Sequence, residues 1–185
     1  MSSPATVGSD DRIRLFLALE VPDEVAEKLR EWSALHLPRG RRIESFHITL
    51  AFLGSQSRDV LPSILDSLRR EASATEPFSL EPVRYRETRS VGMLVLADPS
   101  ERATALAERL QASLERLGLY VRERRRWLPH LTVVRFRERP KLSPPIPAIG
   151  PFAPSGAAAF LSRLHPSGAR YEVLESCSLN RESGG

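Results

Sequence analysis

The apolar positions of the first half predict a strand, a helix, a strand and a second helix, in that order. In residues 12–20, position 13 and positions 15–19 are apolar, which is typical of a strand buried on both faces. Pro22 and the two acidic residues after it begin a helix, because proline and negative charge both suit a first helical turn. A basic turn leads to a second strand, which we expect to end at Gly54, and Ser57 is placed to cap the second helix.

The second half shows the same order of elements. An apolar strand over residues 91–97 precedes a proline, a long amphipathic helix, an arginine-rich stretch and a strand that begins at His130. Residues 140–154 contain six prolines without periodicity, so we predict a connector there. Two strand-like runs, residues 157–164 and 170–179, close the chain as a hairpin.

The two halves therefore form an internal repeat, and each copy reaches a strand that begins His-x-Thr. His47 lies 25 residues after Pro22, and His130 lies 31 residues after Pro99. A single His-x-Thr is common by chance, but two copies at equivalent places in a duplicated unit are not. Related units commonly pack about a pseudo-twofold axis, so we expect the two motif strands to face each other.

Strand geometry gives this motif a chemical use. Residues two apart in a strand share a face, so His47 projects with Thr49, and His130 projects with Thr132. Imidazole titrates near neutral pH, so one ring can act as general base and the other as general acid. Threonine hydroxyls and nearby arginines would hold phosphate oxygens. The pattern predicts acid–base opening of a phosphodiester.

Composition indicates one globular domain. The chain has 185 residues, of which 41% are hydrophobic and 27% charged, which excludes disordered and fibrous proteins. We assign residues 12–179 to a single domain, with a flexible leader at 1–11 and a flexible tail at 180–185. No apolar run reaches the length of a membrane span, and the N-terminus does not resemble a secretory signal. The single cysteine, Cys177, suits a reducing compartment, so we predict a cytoplasmic protein.

The basic residues are concentrated rather than spread evenly. The net charge is +4, and 25 of the 27 basic residues are arginine. Residues 122–139 hold seven arginines against two glutamates, a local charge of +5, and a second group comprises Arg39, Arg41 and Arg42. Arginine binds phosphate oxygens in planar pairs, so these groups suggest an anionic ligand, although a charged run taken alone is more often a solvated surface.

The residues near the motifs bear on whether a metal ion binds and on the role of Trp127. A zinc site would be another use of paired histidines, but no third histidine or carboxylate shares the motif spacing, so we predict no metal ion and no other cofactor. Trp127 adjoins the second motif and could either pack in the core or stack on a base.

Four ordered stretches resemble the two-histidine phosphoesterase superfamily, and within it the RNA 2′,3′-cyclic phosphodiesterases, also called the 2′-5′ RNA ligase family. The stretches are Arg14–Leu19, Phe46–Gly54 around the first motif, Pro129–Arg135 around the second, and Ser162–Leu174 in the closing hairpin. The resemblance covers roughly residues 12–179.

This resemblance implies a fold, a reaction and a set of catalytic residues. The fold would be bilobal α+β, with two antiparallel sheets backed by helices and a cleft between them. The reaction would be metal-independent hydrolysis of a 2′,3′-cyclic phosphate on RNA or a nucleotide, which leaves a 2′-phosphate. His47, Thr49, His130 and Thr132 would carry the catalysis.

The resemblance also suggests more specific roles. Arg135 follows the second motif as in the family and is expected to contact the phosphate. Phe52 is expected to lean against a base, and Arg163 to line the cleft. His130 is assigned as the base for water and His47 as the acid for the departing 3′-oxygen, although near-twofold symmetry makes the reverse assignment hard to distinguish.

Two other functions remain open on the sequence. The same cleft could join RNA through 2′-5′ linkages or cleave such linkages, or the paired motifs could hold nucleotide or RNA phosphate without turnover. In each case the expected partners are RNA ends or nucleotides, with no membrane. The protein is expected to be a monomer, because a two-lobed cleft needs no second subunit.

Overall fold

The computed structural model describes residues 12–166 and 168–180, which form two four-stranded antiparallel sheets, three α-helices and one 3-10 turn. The strands are β1 (Arg12–Glu20), β2 (Arg41–Arg42), β3 (His47–Ser57), β4 (Glu81–Glu87), β5 (Val91–Ala97), β6 (His130–Arg135), β7 (Gly156–His165) and β8 (Gly168–Cys177). The helices are α1 (Asp23–His36), α2 (Leu61–Ser73) and α3 (Arg102–Arg116), and the 3-10 turn is Arg58–Val60. The predicted α+β class is confirmed. The predicted leader at 1–11 and residues 181–185 of the predicted tail lie outside the described residues.

The sheets show how the repeat is arranged. The strand orders are β3-β1-β7-β8 and β2-β6-β5-β4, so β1 and β5 each lie beside the motif strand of their own half. Strands β3, β1 and β7 of the first sheet correspond in order to β6, β5 and β4 of the second. The fourth strand is β8, beside β7, in the first sheet and β2, beside β6, in the second. The two halves of the chain also exchange segments, because β2 joins the second sheet while β7 and β8 join the first.

A single core joins the two sheets. Fully buried Leu15 and Ile48 of the first sheet belong to the same apolar cluster as Leu94 and Leu131 of the second. Full burial of a leucine side chain contributes about 2 kcal/mol, so this shared core ties the motif strands to a rigid base. Helix α1 packs against β6, α2 against β7 and β8, and α3 against α2 and β3. None of the described helices is long and apolar enough to cross a membrane.

The end of β3 differs from the prediction. The strand continues through Gly54 to Ser57, because residues 54–57 still pair with the start of β1. Ser57 therefore does not cap α2 directly. Its side chain accepts a hydrogen bond from the Asp59 backbone N–H and caps the 3-10 turn that precedes the helix.

Candidate active site

The two motif strands expose their functional side chains to the same degree. His47, Thr49, His130 and Thr132 are all half-buried, while the residue between each histidine and threonine is buried in the core. A positive charge on His130 disfavours a charge on His47, so the two rings lie within electrostatic reach of each other. The structure therefore brings the two predicted motifs to one cleft.

A β-bulge interrupts β3 directly after its motif. Thr49 pairs with Ala18 and Ala51 pairs with Leu17, so Leu50 is an extra residue on the β3 side. The alternation of faces is shifted by one residue at this point. Leu50 and Ala51 are both buried as a result.

Strand β6 carries the same bulge at the same place. Thr132 pairs with Met93 and Val134 pairs with Gly92, so Val133 is the extra residue. Val133 and Val134 are both buried, in the way that Leu50 and Ala51 are buried in β3.

The bulges decide which side chain follows each motif into the cleft. In a regular strand, Phe52 and Arg135 would face away from the threonines three residues earlier. The extra residue in each strand turns them back to the motif face, and both are exposed. Arg135 acts electrostatically on His47, which agrees with a position in the cleft. The two predicted substrate-contacting residues thus occupy equivalent positions in the repeat.

His47 sits in an aromatic cage from the first sheet. Its ring centroid lies 4.7 Å from Phe16 of β1, 5.9 Å from Phe160 of β7 and 5.2 Å from Tyr171 of β8. Tyr171 meets the ring edge-on, at 87°. The three rings remove most of the water that would solvate a charged imidazole.

The cage changes the acidity of His47. The pKa of His47 is lowered from 6.5 to about 4. Burial is the main cause, and the nearby charges of Arg135 and His130 contribute to the same shift. The Ser45 carbonyl raises the pKa in part. Among the described residues, the buried Nδ1 of His47 has no hydrogen-bond partner. His47 is neutral at pH 7 in the unliganded protein.

His130 is oriented by a hydrogen bond instead. Its Nδ1 lies 2.9 Å from the Leu128 carbonyl oxygen. A carbonyl can only accept, so Nδ1 carries the proton and the neutral ring holds its lone pair on Nε2. This tautomer is the one that a general base in the cleft requires.

Trp127 packs between the motif strands and also borders the cleft. Its indole Nε1–H donates to the Thr49 carbonyl oxygen at 2.9 Å, and the ring is half-buried against the core. The hydrogen bond ties the approach to β6 to the first motif strand. Of the two predicted uses of Trp127, packing is the one that the structure shows.

A cavity of about 450 Å³ opens at the His130 end of the cleft, with His130, Phe52, Tyr120, Trp127 and Arg126 among its lining residues. Its volume falls within the range of small-molecule sites. Phe52 is 50% exposed, with the Arg14 guanidinium 5.1 Å from its ring centroid. Arg126 is paired with Glu101 at 2.8 Å, so its charge is compensated. We call this the aromatic cavity after its three rings; its lining also includes Arg86 and Arg125, and Arg125 pairs with Glu123 at 2.5 Å.

The other end of the cleft is basic. Arg135 lines a second cavity, of about 770 Å³, together with Arg39 and Arg41. The pairing of β2 with β6 places Arg41 opposite Arg135. The two basic groups of the sequence therefore meet beside the second motif, as the prediction of an anionic ligand requires.

The structure does not bring Arg163 to this group. Arg163 lies three residues after Phe160, which faces His47, so it projects from the opposite face of β7. Its guanidinium pairs with Glu172 at 3.3 Å on the neighbouring strand. We leave Arg163 out of the site.

The described residues contain no group of three His, Cys, Asp or Glu side chains arranged to hold a metal ion. The cage residues were not predicted from the sequence, because Phe16, Phe160 and Tyr171 come from three separate strands. Tyr171 lies in the closing stretch that carries the family resemblance, but nothing in the sequence connects it with His47.

Known proteins resemble this chain along nearly its whole length. It is 32% identical to the RNA 2′,3′-cyclic phosphodiesterase of Thermus thermophilus, over 93% of each chain. It is 27% identical to the RNA 2′,3′-cyclic phosphodiesterase of Escherichia coli, over 91% of this chain and 97% of that protein.

Solved structures agree. E. coli LigT complexed with 3′-AMP superposes with a TM-score of 0.79 at 25% identity, over 92% of this chain and 99% of LigT. A Thermus thermophilus structure gives a TM-score of 0.78 at 29% identity, over 92% of this chain and all of the other. Residues 21–165 match the 2′-5′ RNA ligase superfamily. With the duplicated motif strands and the shared fold, the match shows that the chain belongs to the 2′-5′ RNA ligase superfamily.

Proposed function

We propose that this protein is an RNA 2′,3′-cyclic phosphodiesterase, which hydrolyses terminal cyclic phosphates to 2′-phosphates. The observation that carries the proposal is the pair of His-x-Thr strands, which share one bulge geometry and one cleft. The relatives named RNA 2′,3′-cyclic phosphodiesterase, which match over nearly the full chain, support it.

His130 acts as the general base in this proposal. Its Nε2 lone pair removes a proton from water, and the water oxygen attacks phosphorus. The support is the bond from Nδ1 to the Leu128 carbonyl, which fixes the required tautomer and orientation. This carbonyl also accepts more strongly once the ring becomes positively charged.

His47 acts as the general acid. As the P–O3′ bond breaks, its proton passes to O3′, so the 3′-hydroxyl leaves neutral and the 2′-phosphate remains. The low pKa of about 4 means that His47 is not protonated at pH 7 before substrate arrives. A phosphate anion in the cleft attracts a positive charge on His47 and offsets the charge of Arg135, and so raises the pKa of His47. Substrate binding therefore prepares the acid.

The remaining groups stabilise charge on the phosphate. Thr49 and Thr132 hydroxyls project beside the histidines and donate to non-bridging oxygens. Arg135 supplies a positive charge at the His47 end, and its planar fork can hold two oxygens at once. Phe52 stacks on the terminal base in the aromatic cavity.

No further cofactor is needed for this chemistry, because two imidazoles supply both proton transfers. The cleft is formed within one chain, so we propose that the monomer is active. The single cysteine, Cys177, cannot form an internal disulfide, and we therefore assign the activity to the reducing cytoplasm.

The test is hydrolysis of 2′,3′-cyclic nucleotides and of a short RNA with the same end, in EDTA, with product chromatography. Wild type is compared with His47→Ala and His130→Ala. We expect conversion to the 2′-phosphate, with a loss of about 100-fold to 10,000-fold in either variant, the range for a general acid or base.

The outcomes separate the alternative functions. A 3′-phosphate product, or loss of activity in EDTA, contradicts the proposed reaction. New 2′-5′ linkages in an RNA mixture would instead assign ligation. Tight RNA binding by His47→Ala with no turnover by wild type would indicate a binding module.

A further inference from the structure

The cavity at the Arg135 end is built mainly from arginine. We call it the arginine pocket and define it by Arg39, Arg41, Arg135, Arg137 and Arg139, which all line a volume of about 770 Å³. All five side chains are exposed. The cavity is larger than the aromatic cavity of about 450 Å³ at the other end of the cleft.

Most of this charge is not compensated. Within residues 12–166 and 168–180, no carboxylate forms an ion pair with Arg39, Arg135 or Arg137. Glu138 is the single acidic residue in the lining. Clustered arginines repel one another in an unliganded protein, so their convergence favours an anion with more than one charge.

Arg139 differs from these three arginines because it pairs with a buried carboxylate. Its Nε donates to Glu87 at 3.2 Å, and the Glu87 side chain is only 2% exposed. The same carboxylate accepts from the backbone N–H groups of Lys141, at 2.9 Å, and Leu142, at 2.8 Å. This buried anchor fixes the chain that follows β6 and so positions Arg137.

The turn that contains Arg39 packs closely against β6. Gly40 has φ +90, and a Cβ at this position would lie 2.6 Å from the Arg135 carbonyl oxygen. Only glycine permits both this backbone conformation and this approach. On the opposite side, Gly168 of the closing hairpin lies directly against the Arg41 guanidinium. The pocket is therefore formed by three separate segments held in fixed positions.

The pocket is continuous with the proposed active site through Arg135. Strand β6 presents His130 at the aromatic cavity and Arg135 at the arginine pocket, five residues further along. From His130 to Arg135 the strand spans on the order of 16 Å at about 3.3 Å per residue, and Arg137 lies two residues further on. A phosphate held between the histidines and Arg135 leaves Arg39 and Arg137 available to other phosphates, so a substrate that fills the arginine pocket must extend beyond one nucleotide.

We propose that the arginine pocket binds the phosphodiester backbone of RNA on the 5′ side of the terminal cyclic phosphate, so that the protein prefers RNA ends to free cyclic nucleotides. The inference rests on the proposed function, because it takes the cyclic end to lie between the histidines. A cyclic phosphate is at the 3′ end of RNA, so all remaining phosphates lie on its 5′ side. Arginine is the side chain best suited to their paired oxygens.

The test measures binding separately from turnover. Labelled RNAs of two, four and eight nucleotides ending in a 2′-phosphate are titrated by fluorescence anisotropy at several salt concentrations. We expect wild-type affinity to rise with length, and Arg39→Gln/Arg137→Gln to lose about tenfold on the octamer. The slope of log affinity against log salt should shrink by about 1.4, because about 0.7 is lost per single-strand phosphate contact.

A matched variant controls for net charge. Lys28→Gln/Arg116→Gln also removes two exposed cations, but from helices α1 and α3, outside the arginine pocket. It should bind all three RNAs as wild type does. Hydrolysis of a cyclic mononucleotide should be unchanged in both double variants.

Three outcomes bear on the inference. An octamer affinity unchanged by Arg39→Gln/Arg137→Gln overturns it, and so does an equal loss on mononucleotide hydrolysis. If wild type hydrolyses no cyclic substrate but octamer binding still depends on these two arginines, the proposed function fails and the RNA-binding pocket stands.

Discussion

Strands β3 and β6 begin with the same pattern of buried and exposed residues, but their surroundings differ. Each has a half-buried histidine and threonine, a bulge of two buried residues, and one exposed residue after the bulge. The first histidine is enclosed by Phe16, Phe160 and Tyr171, whereas the second bonds to a carbonyl. The residue after the bulge is Phe52 in one strand and Arg135 in the other.

In the proposed mechanism, this difference allows a symmetric repeat to catalyse an asymmetric reaction. Hydrolysis of a phosphodiester needs one group that accepts a proton and one that donates it. The repeat supplies two imidazoles in equivalent positions, and their environments differ: the cage lowers the pKa of His47, while a hydrogen bond to the Leu128 carbonyl fixes the tautomer of His130. In the proposed mechanism, Phe52 at one end of the cleft contacts the base, and Arg135 at the other end contacts the phosphate.

The largest expected effect concerns stability below neutral pH. The folded pKa of His47 is about 4 against 6.5 unfolded, so between these values the unfolded chain binds the extra proton. Stability is therefore lost as pH falls from 6.5 to 4, by up to about 3 kcal/mol. His47→Gln should lose less over this range in urea unfolding.

Thr49→Ser controls for disturbance of the site, because it leaves His47 in its cage. It should keep the wild-type pH dependence. If the free energy of unfolding changes with pH in the same way for wild type and His47→Gln, then the cage does not shift the pKa of His47.

The next effect concerns Arg135. Arg135→Gln removes a charge-assisted phosphate contact worth about 1.5–3 kcal/mol, so kcat/KM should fall by about 10-fold to 100-fold on cyclic nucleotides and RNA alike. Arg137→Gln, on the same edge but further from the motif, should leave cyclic mononucleotide hydrolysis unchanged. Equal kinetics for wild type and Arg135→Gln would remove Arg135 from the site.

A smaller effect is expected at the equivalent position in β3. Base stacking on an aromatic ring contributes about 1–3 kcal/mol, and Arg14 already covers part of Phe52. Phe52→Ala should therefore raise KM about fivefold to tenfold and leave kcat nearly unchanged. Phe52→Trp should retain the wild-type KM. A fall in kcat at constant KM would contradict a role in base binding.

The local parts of this site could be predicted from the sequence. The two-residue period of a strand places His47 with Thr49, and His130 with Thr132, without knowledge of any partner strand. The same rule places Arg135 on the wrong face, and only the family resemblance pointed to it. The bulge that corrects its direction depends on the register with β5, where Gly92 leaves space for Val134.

The non-local parts could not be predicted. The cage around His47 combines residues from β1, β7 and β8, and the arginine pocket depends on the pairing of β2 with β6. The same limit explains the error at Gly54. Glycine commonly ends a strand, but here pairing with β1 continues past it.

The most direct test of the account follows the two histidines by NMR, with the ring resonances assigned from His47→Gln and His130→Gln. In the unliganded protein we predict that His47 titrates near pH 4. Addition of a nucleoside 2′-phosphate should raise that pKa, because the phosphate anion attracts a positive charge on His47 and offsets the charge of Arg135. A His47 that titrates near 6.5 without ligand, or that stays near 4 when the site is filled, would contradict the claim that the cage and the bound phosphate set its role as the acid.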